Sequence, residues 1–161
     1  MKPKWWNKGK SHLSRRDKVI KKLLRVYKGH LTSRNNFFYS LCRSIISQQI
    51  SVSAADSVFL KFEKKCKSKI KPKTISKLSI SDLRKCGLSR MKAKGIKSLA
   101  EKILNKSFDP KLIKKMSDED AINYLSSLRQ IGRWSSEMVL IFFYNRPNIW
   151  PVQDIGLLRA I

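Results

Sequence analysis

Tyr124-Leu125-Ser126-Ser127-Leu128-Arg129-Gln130-Ile131-Gly132-Arg133-Trp134-Ser135-Ser136-Glu137-Met138-Val139-Leu140 is the stretch that decides the fold of this chain. Its spacing predicts a helix ending near Leu128, a tight turn pivoting about Gly132, and a second helix whose small first residues let it pack closely. Gly132 is the kind of residue that permits φ > 0 and leaves backbone N–H groups facing outward. Amides at a helix start bind phosphate. Spacing alone leaves any αα-hairpin open, with nucleic-acid binding one of its uses.

Outward from this hairpin the apolar spacing stays helical. Ser117-Asp118-Glu119-Asp120 places acid groups in the first turn of a helix carrying Ala121, Ile122 and Leu125. Asp109-Pro110 fits the start of a helical turn. Ser89 opens a helix with Ala93, Ile96, Leu99, Ala100 and Ile103, after a short one over Ser81 to Cys86 closed by Gly87. Residues 64–73, with Pro72, read as a solvated loop. Ser51 caps a helix with Val52, Ala55, Val58, Phe59 and Phe62 inward, and Phe37, Phe38, Leu41, Ile45 and Ile46 form another face after Asn35-Asn36. Val19, Ile20, Leu23, Leu24 and Tyr27 make one more, with Gly29 as its expected C-terminal cap. No strand and no internal repeat are read, so the expected fold class is all-α.

Charge says what the surface is for. The 161 residues carry 36 Lys+Arg against 11 Asp+Glu, a formal charge of +25. Residues 1–116 hold 32 of the basic groups and 6 acidic ones, whereas 117–161 hold 4 and 5. A lysine-rich codon bias would not stop after Lys115. Such a surface fits a polyanion, nucleic acid before an anionic membrane face. With 42% hydrophobic residues there is material for a core, which excludes a wholly disordered basic tail.

Cys42, Cys66 and Cys86 are odd in number and widely spaced, matching neither a disulfide framework nor close-spaced metal ligands, so they read as buried free thiols. His12 and His30 have no nucleophile nearby. No stretch approaches the roughly 18 apolar residues of a membrane span, and the start lacks a signal peptide's apolar run. The expected compartment is the cytoplasm, or the nucleus in a eukaryote.

Leu128 to Trp134 resembles the hairpin of the helix-hairpin-helix DNA glycosylases, in particular the DNA-3-methyladenine glycosylase II (alkylpurine) type. Four other segments agree in order and spacing: Trp6 with His12-Leu13 and Asp17, then Ile45 to Ala55 with its Gln48-Gln49 pair, then Gly87 to Ala93 with Leu99-Ala100, and finally Pro147 to Leu157. The match runs from about residue 5 to the end, so residues 1–161 read as one such domain with its hairpin at about 121–144. Family members carry further helices beyond the point matching Ile161, seven residues past Asp154, so the resemblance implies a domain lacking its C-terminal helices. The family's first hairpin glycine is Gln130 here.

The resemblance implies a monofunctional glycosylase hydrolysing the N-glycosidic bond of alkylated purines in double-stranded DNA, acting in base excision repair as a monomer. It makes Asp154 the catalytic carboxylate. From spacing alone Asp154 reads first as a plain N-cap, and the resemblance reverses that order. The chemistry needs one carboxylate beside the sugar, because the sugar becomes oxocarbenium-like and an N-alkylated purine already leaves as a cation. Trp134 stands where bifunctional relatives carry a Schiff-base lysine, so no imine and no strand cleavage are expected, and its face suits a cationic base. Met138 lines the same base pocket one turn on. The resemblance further implies DNA contacts and a base-flipping plug at Gln48, Gln49, Ser51, Lys92, Gly132, Arg133 and Ser135, Gln49 being the better plug. The carbonyls of Ser126, Leu128 and Ile131 would hold a structural Na+ or K+, with no cofactor for catalysis. The rival readings are a non-catalytic helix-hairpin-helix DNA-binding module, a bifunctional glycosylase/lyase, and an RNA- or ribosome-binding basic protein.

Overall fold

A computed structural model describes residues 2–159, and among them every regular element is a helix. In chain order these are α1 (Trp6–Arg16), α2 (Lys18–Val26), α3 (Phe37–Ser47), α4 (Val52–Lys65), α5 (Pro72–Ser76), α6 (Ile80–Lys85), α7 (Arg90–Leu104), a 3-10 turn (Leu112–Lys115), α8 (Asp118–Ser126), α9 (Arg133–Phe142) and α10 (Ile155–Leu158).

Polar residues that compete with helix interiors stand at the starts, where their side chains satisfy orphan amides. Asn36 accepts from the Tyr39 amide, Ser51 from Ala54, Ser89 from Lys92 and Ser117 from Asp120. Ser79 and Asp82 cap α6 reciprocally, and Gly87 (φ 96) turns the chain after it. Asp17 ends α1 and caps α2, accepting from the Val19 and Ile20 amides. The helix expected to reach Tyr27 stops at Val26, with Tyr27 extended and Gly29 outside any cap.

The core forms around α3, whose Leu41, Cys42, Ile45 and Ile46 are fully buried, and which packs on α4, α7 and α9. Leu83, Ile96, Leu99, Leu125 and Leu140 from α6, α7, α8 and α9 complete it. Burying each such side chain contributes about 1.5–3 kcal/mol. Phe108 stacks on Tyr124 at 4.6 Å, and the Tyr124 hydroxyl accepts from the Asp109 amide at 2.9 Å. All three cysteines are buried and free, and burial pushes the Cys66 thiol up to about 11. The α1–α2 pair buries none of its own residues, so the apolar face of Val19, Leu23 and Val26 is exposed. Trp5 fastens this pair to the body, its Nε1 donating to the Asn145 carbonyl at 2.6 Å.

One close approach seats the hairpin. A Cβ on Gly95 would lie 2.7 Å from Gln130 Cγ and 3.2 Å from the Arg129 carbonyl oxygen. A glycine inside a 15-residue helix costs about 1 kcal/mol against alanine, and here it admits the hairpin turn against α7. Gly95→Val should therefore lower stability by about 1–3 kcal/mol through overpacking, read from urea unfolding. No loss would show that the turn does not rest on α7.

Candidate active site and nucleic-acid interface

The hairpin is α8, the turn at residues 127–132, and α9. Its left-handed residue is Gln130 (φ 68), whereas Gly132 (φ −95) has ordinary extended backbone. The expectation that Gly132 supplies the positive φ is thus corrected: the turn reverses two residues earlier, at the position where the family pattern has glycine. A non-glycine there costs about 1–2 kcal/mol, and a glycine would return about 0.5–1 kcal/mol of chain entropy to the unfolded state. Gln130→Gly should accordingly stabilise by up to about 1 kcal/mol in the same urea series; clear destabilisation would mean that the Gln130 side chain holds the turn.

Gly132 is the N-cap of α9 without a side-chain cap, and a Cβ there would meet nothing within 4 Å. The protein itself needs neither the conformation nor the space of glycine at this point. What the glycine leaves is an uncapped helix start open to solvent, with first-turn amides available to an anion.

Asp154 is the N-cap of α10, and its Oδ1 accepts the Leu157 amide at 3.0 Å. Its Oδ2 accepts the Trp134 indole N–H at 2.8 Å. The Trp134 hydrogen bond first, and the amides of α10 after it, hold this carboxyl below its ordinary value. The two readings of Asp154 open in the sequence are therefore compatible, since one oxygen caps and the other meets Trp134. Trp134 is 38% exposed, on the first turn of α9. Met138 is half-buried and lines a crevice of about 20 Å³ between α3 and α9, far smaller than a purine.

The loop between α9 and Asp154 is pinned from below. Arg146 pairs with Asp118 at 2.6 Å and donates to the carbonyls of Ile113 and Met116 at 2.5 and 2.9 Å. Its side chain is largely buried, so these bonds fix where the chain turns towards Trp150 and Asp154.

The remaining sequence-selected residues divide into two groups. Gln49 (φ 55) is exposed at the apex between α3 and α4, and Ser51 beside it is exposed while capping α4. The others are engaged internally. Gln48 Nε2 donates to the Gln130 carbonyl at 2.8 Å and to Ser135 Oγ at 3.4 Å, so both side chains tie α3 to the hairpin rather than face outward. Lys92 Nζ donates to the carbonyls of Ile46 and Gln48 at 2.8 and 2.6 Å, closing the end of α3, and burial lowers its pKa. Arg133 forks onto Glu119 at 2.6 and 3.0 Å and reaches Glu137 at 3.2 Å, so its charge is compensated. Of the expected cation-holding carbonyls, that of Leu128 accepts the Ile131 amide at 3.1 Å.

Sequence reasoning missed Glu137, which is 3% exposed and has one oxygen on Arg133 and the other without a partner among the described residues. The signal available was its position four residues after an arginine. Among the described residues no His/Cys/Asp/Glu cluster could hold a metal ion, and no helix is long and apolar enough to cross a membrane.

Comparison with known proteins matches this arrangement. A family model described as HhH-GPD superfamily base excision DNA repair protein covers residues 42–161. The alkylbase DNA glycosidase-like protein mag2 of Schizosaccharomyces pombe is 35% identical over 124 residues, 74% of this chain and 58% of that protein. DNA-3-methyladenine glycosylase 1 of the same yeast is 29% identical over 157 residues, 93% of this chain and 69% of that one. A solved Schizosaccharomyces pombe 3-methyladenine DNA glycosylase in complex with abasic DNA superposes with a TM-score of 0.76 at 29% identity, over 93% of this chain and 76% of that chain. The chain thus spans little more than half the length of the first of these relatives. With an all-helical fold, a hairpin opening α9 and a capping carboxylate at α10, the chain belongs to the HhH-GPD superfamily of base excision DNA repair proteins.

Proposed function

We propose that this protein is a monofunctional DNA glycosylase that hydrolyses the N-glycosidic bond of alkylated purines in double-stranded DNA. The observation that carries the reading is the Asp154 carboxylate, kept ionised by the Trp134 N–H and the α10 amides next to the uncapped start of α9. The names of the relatives support it.

In this reading the bond between the sugar C1′ and the purine nitrogen breaks with its electron pair going to the base, which leaves neutral because it was cationic. Asp154 faces the resulting oxocarbenium-like sugar and orients the water that adds to C1′ and releases its extra proton to solvent. Trp134 serves twice: its ring edge fixes the carboxylate and its face receives the cationic base. The position of the lyase amine is this tryptophan, so no imine forms. Gln49, exposed and already in a left-handed turn, plugs the gap left by the flipped nucleotide. The α9 amides at Gly132 hold a backbone phosphate. The hairpin carbonyls, oxygen donors suited to an alkali cation, would hold Na+ or K+ beside that phosphate, with no role in bond breaking.

The decisive assay is release of free methylated purine from methylated duplex DNA, with no release from untreated DNA. Absence of any released base would leave a DNA-binding protein without this reaction. The acid limb adds a check. A carboxyl held below its ordinary value contributes in the ionised form and loses that contribution only as pH falls through its folded pKa, so release should decline on this group's account only below about pH 4. A limb near pH 6 would assign the step to another group.

A further inference from the structure

Away from this site, Lys65, Lys67, Lys69, Lys71, Lys73 and Lys77 line one cleft of about 570 Å³ at the C-terminal end of α4 and around α5. All six are exposed. Only Lys65 has an acidic partner, Asp82 at 2.8 Å; among the described residues the other five make no ion pair. Crowding ammonium groups around a cavity raises their mutual repulsion, which an anion relieves.

The array is held in place by the fold. Cys66 and Ile70 are buried and point the segment's other side at the core. Lys67 (φ 52) and Ser68 (φ 57) are both left-handed, fixed by the Ser68 amide on the Glu63 carbonyl and the Lys69 amide on the Cys66 carbonyl, each at 3.0 Å. Lys97 from α7 donates to the carbonyls of Ser76 and Leu78 at 2.9 and 2.5 Å and secures the far wall.

We propose that this cleft is a second duplex-phosphate site, separate from the hairpin. The 14 residues of α4, at about 1.5 Å each, put it roughly 20 Å from the Gln48-Gln49 turn. The cleft is too large for one phosphate and has several point charges to offer. Lysines without arginine or an aromatic ring give attraction to backbone phosphate and neither base reading nor base stacking, so a duplex backbone fits better than a single strand. This inference concerns DNA holding only and stands whichever reaction the hairpin side performs.

The test compares Lys67→Gln, Lys69→Gln, Lys71→Gln and Lys73→Gln combined with an equal charge loss elsewhere, Lys106→Gln, Lys111→Gln, Lys114→Gln and Lys115→Gln combined. Binding of a labelled undamaged duplex is followed by anisotropy across a salt series. The cleft variant should lose about 2–3 from the salt slope, at about 0.9 per phosphate contact, and at least tenfold in affinity at low salt, while the control loses much less. A slope equal to wild type, an equal drop in the control, or a loss confined to single-stranded oligonucleotide would overturn the proposal. The four lysines are exposed and make no ion pair among the described residues, so the melting temperature should hold or rise slightly as their repulsion is relieved, and should not fall; Lys69→Gln with Lys71→Gln, at half the slope loss, provides a milder second variant. Base release at saturating DNA should stay unchanged in the cleft variants, so failure of the cleft and failure of the proposed reaction read out separately.

Discussion

Asp154→Asn should lower methylated-purine release by two or more orders of magnitude while leaving duplex affinity roughly unchanged. Asparagine is as good an N-cap as aspartate, and its carbonyl oxygen accepts from one of the two donors that Asp154 now satisfies, so α10 keeps its start. What the substitution removes is the negative charge that the proposed mechanism sets against the sugar. Electrostatic stabilisation of this kind is worth about 3 kcal/mol or more, and each 1.36 kcal/mol is about tenfold in rate. Undiminished release by the variant would reduce Asp154 to a cap, and a parallel loss of affinity would make it a binding residue.

Trp134→Ala should have the next largest effect, about 5- to 150-fold on release, because stacking on an aromatic face is worth about 1–3 kcal/mol per base. Binding to undamaged duplex, in which no base is flipped, should change far less. Trp134→Phe separates the hydrogen bond of the indole from the stacking proposed for its face: the face remains and the N–H at 2.8 Å from Asp154 is lost. Release should then fall less than in the alanine variant, and the acid limb should move up towards the ordinary carboxylate range, since the first cause of the depressed pKa is gone. Equal losses of release and of plain duplex binding in the alanine variant would mean that Trp134 only supports the fold.

Helix starts were legible because their chemistry is local. Asn36, Ser51, Ser89 and Ser117 each bond an amide three residues on, and that relation is written in the residue order. The hairpin and the Asp154 loop were legible as motifs for the same reason. Partners distant in the chain were not. Lys92 looks like a surface cation in its own segment, yet it closes a helix 44 and 46 residues away, and Gln48 reaches across 82 residues to the Gln130 carbonyl. The sign of φ at Gln130 escaped because glycine marks the left-handed region only by preference: the residue type at 130 gives no such signal, and only the family pattern, which has glycine there, marks the position. The α1–α2 face shows the converse: a strong amphipathic pattern states that a surface is apolar without stating what covers it.

The most direct test of the account follows one duplex carrying a single alkylated purine on a denaturing gel, with base release measured in parallel. With tryptophan at position 134 and one carboxylate at 154, the released base should appear while the strand stays whole, breaking only after hot alkali, and borohydride should trap no protein–DNA adduct. A nick formed in step with base release, or a borohydride-stable adduct, would contradict the carboxylate mechanism.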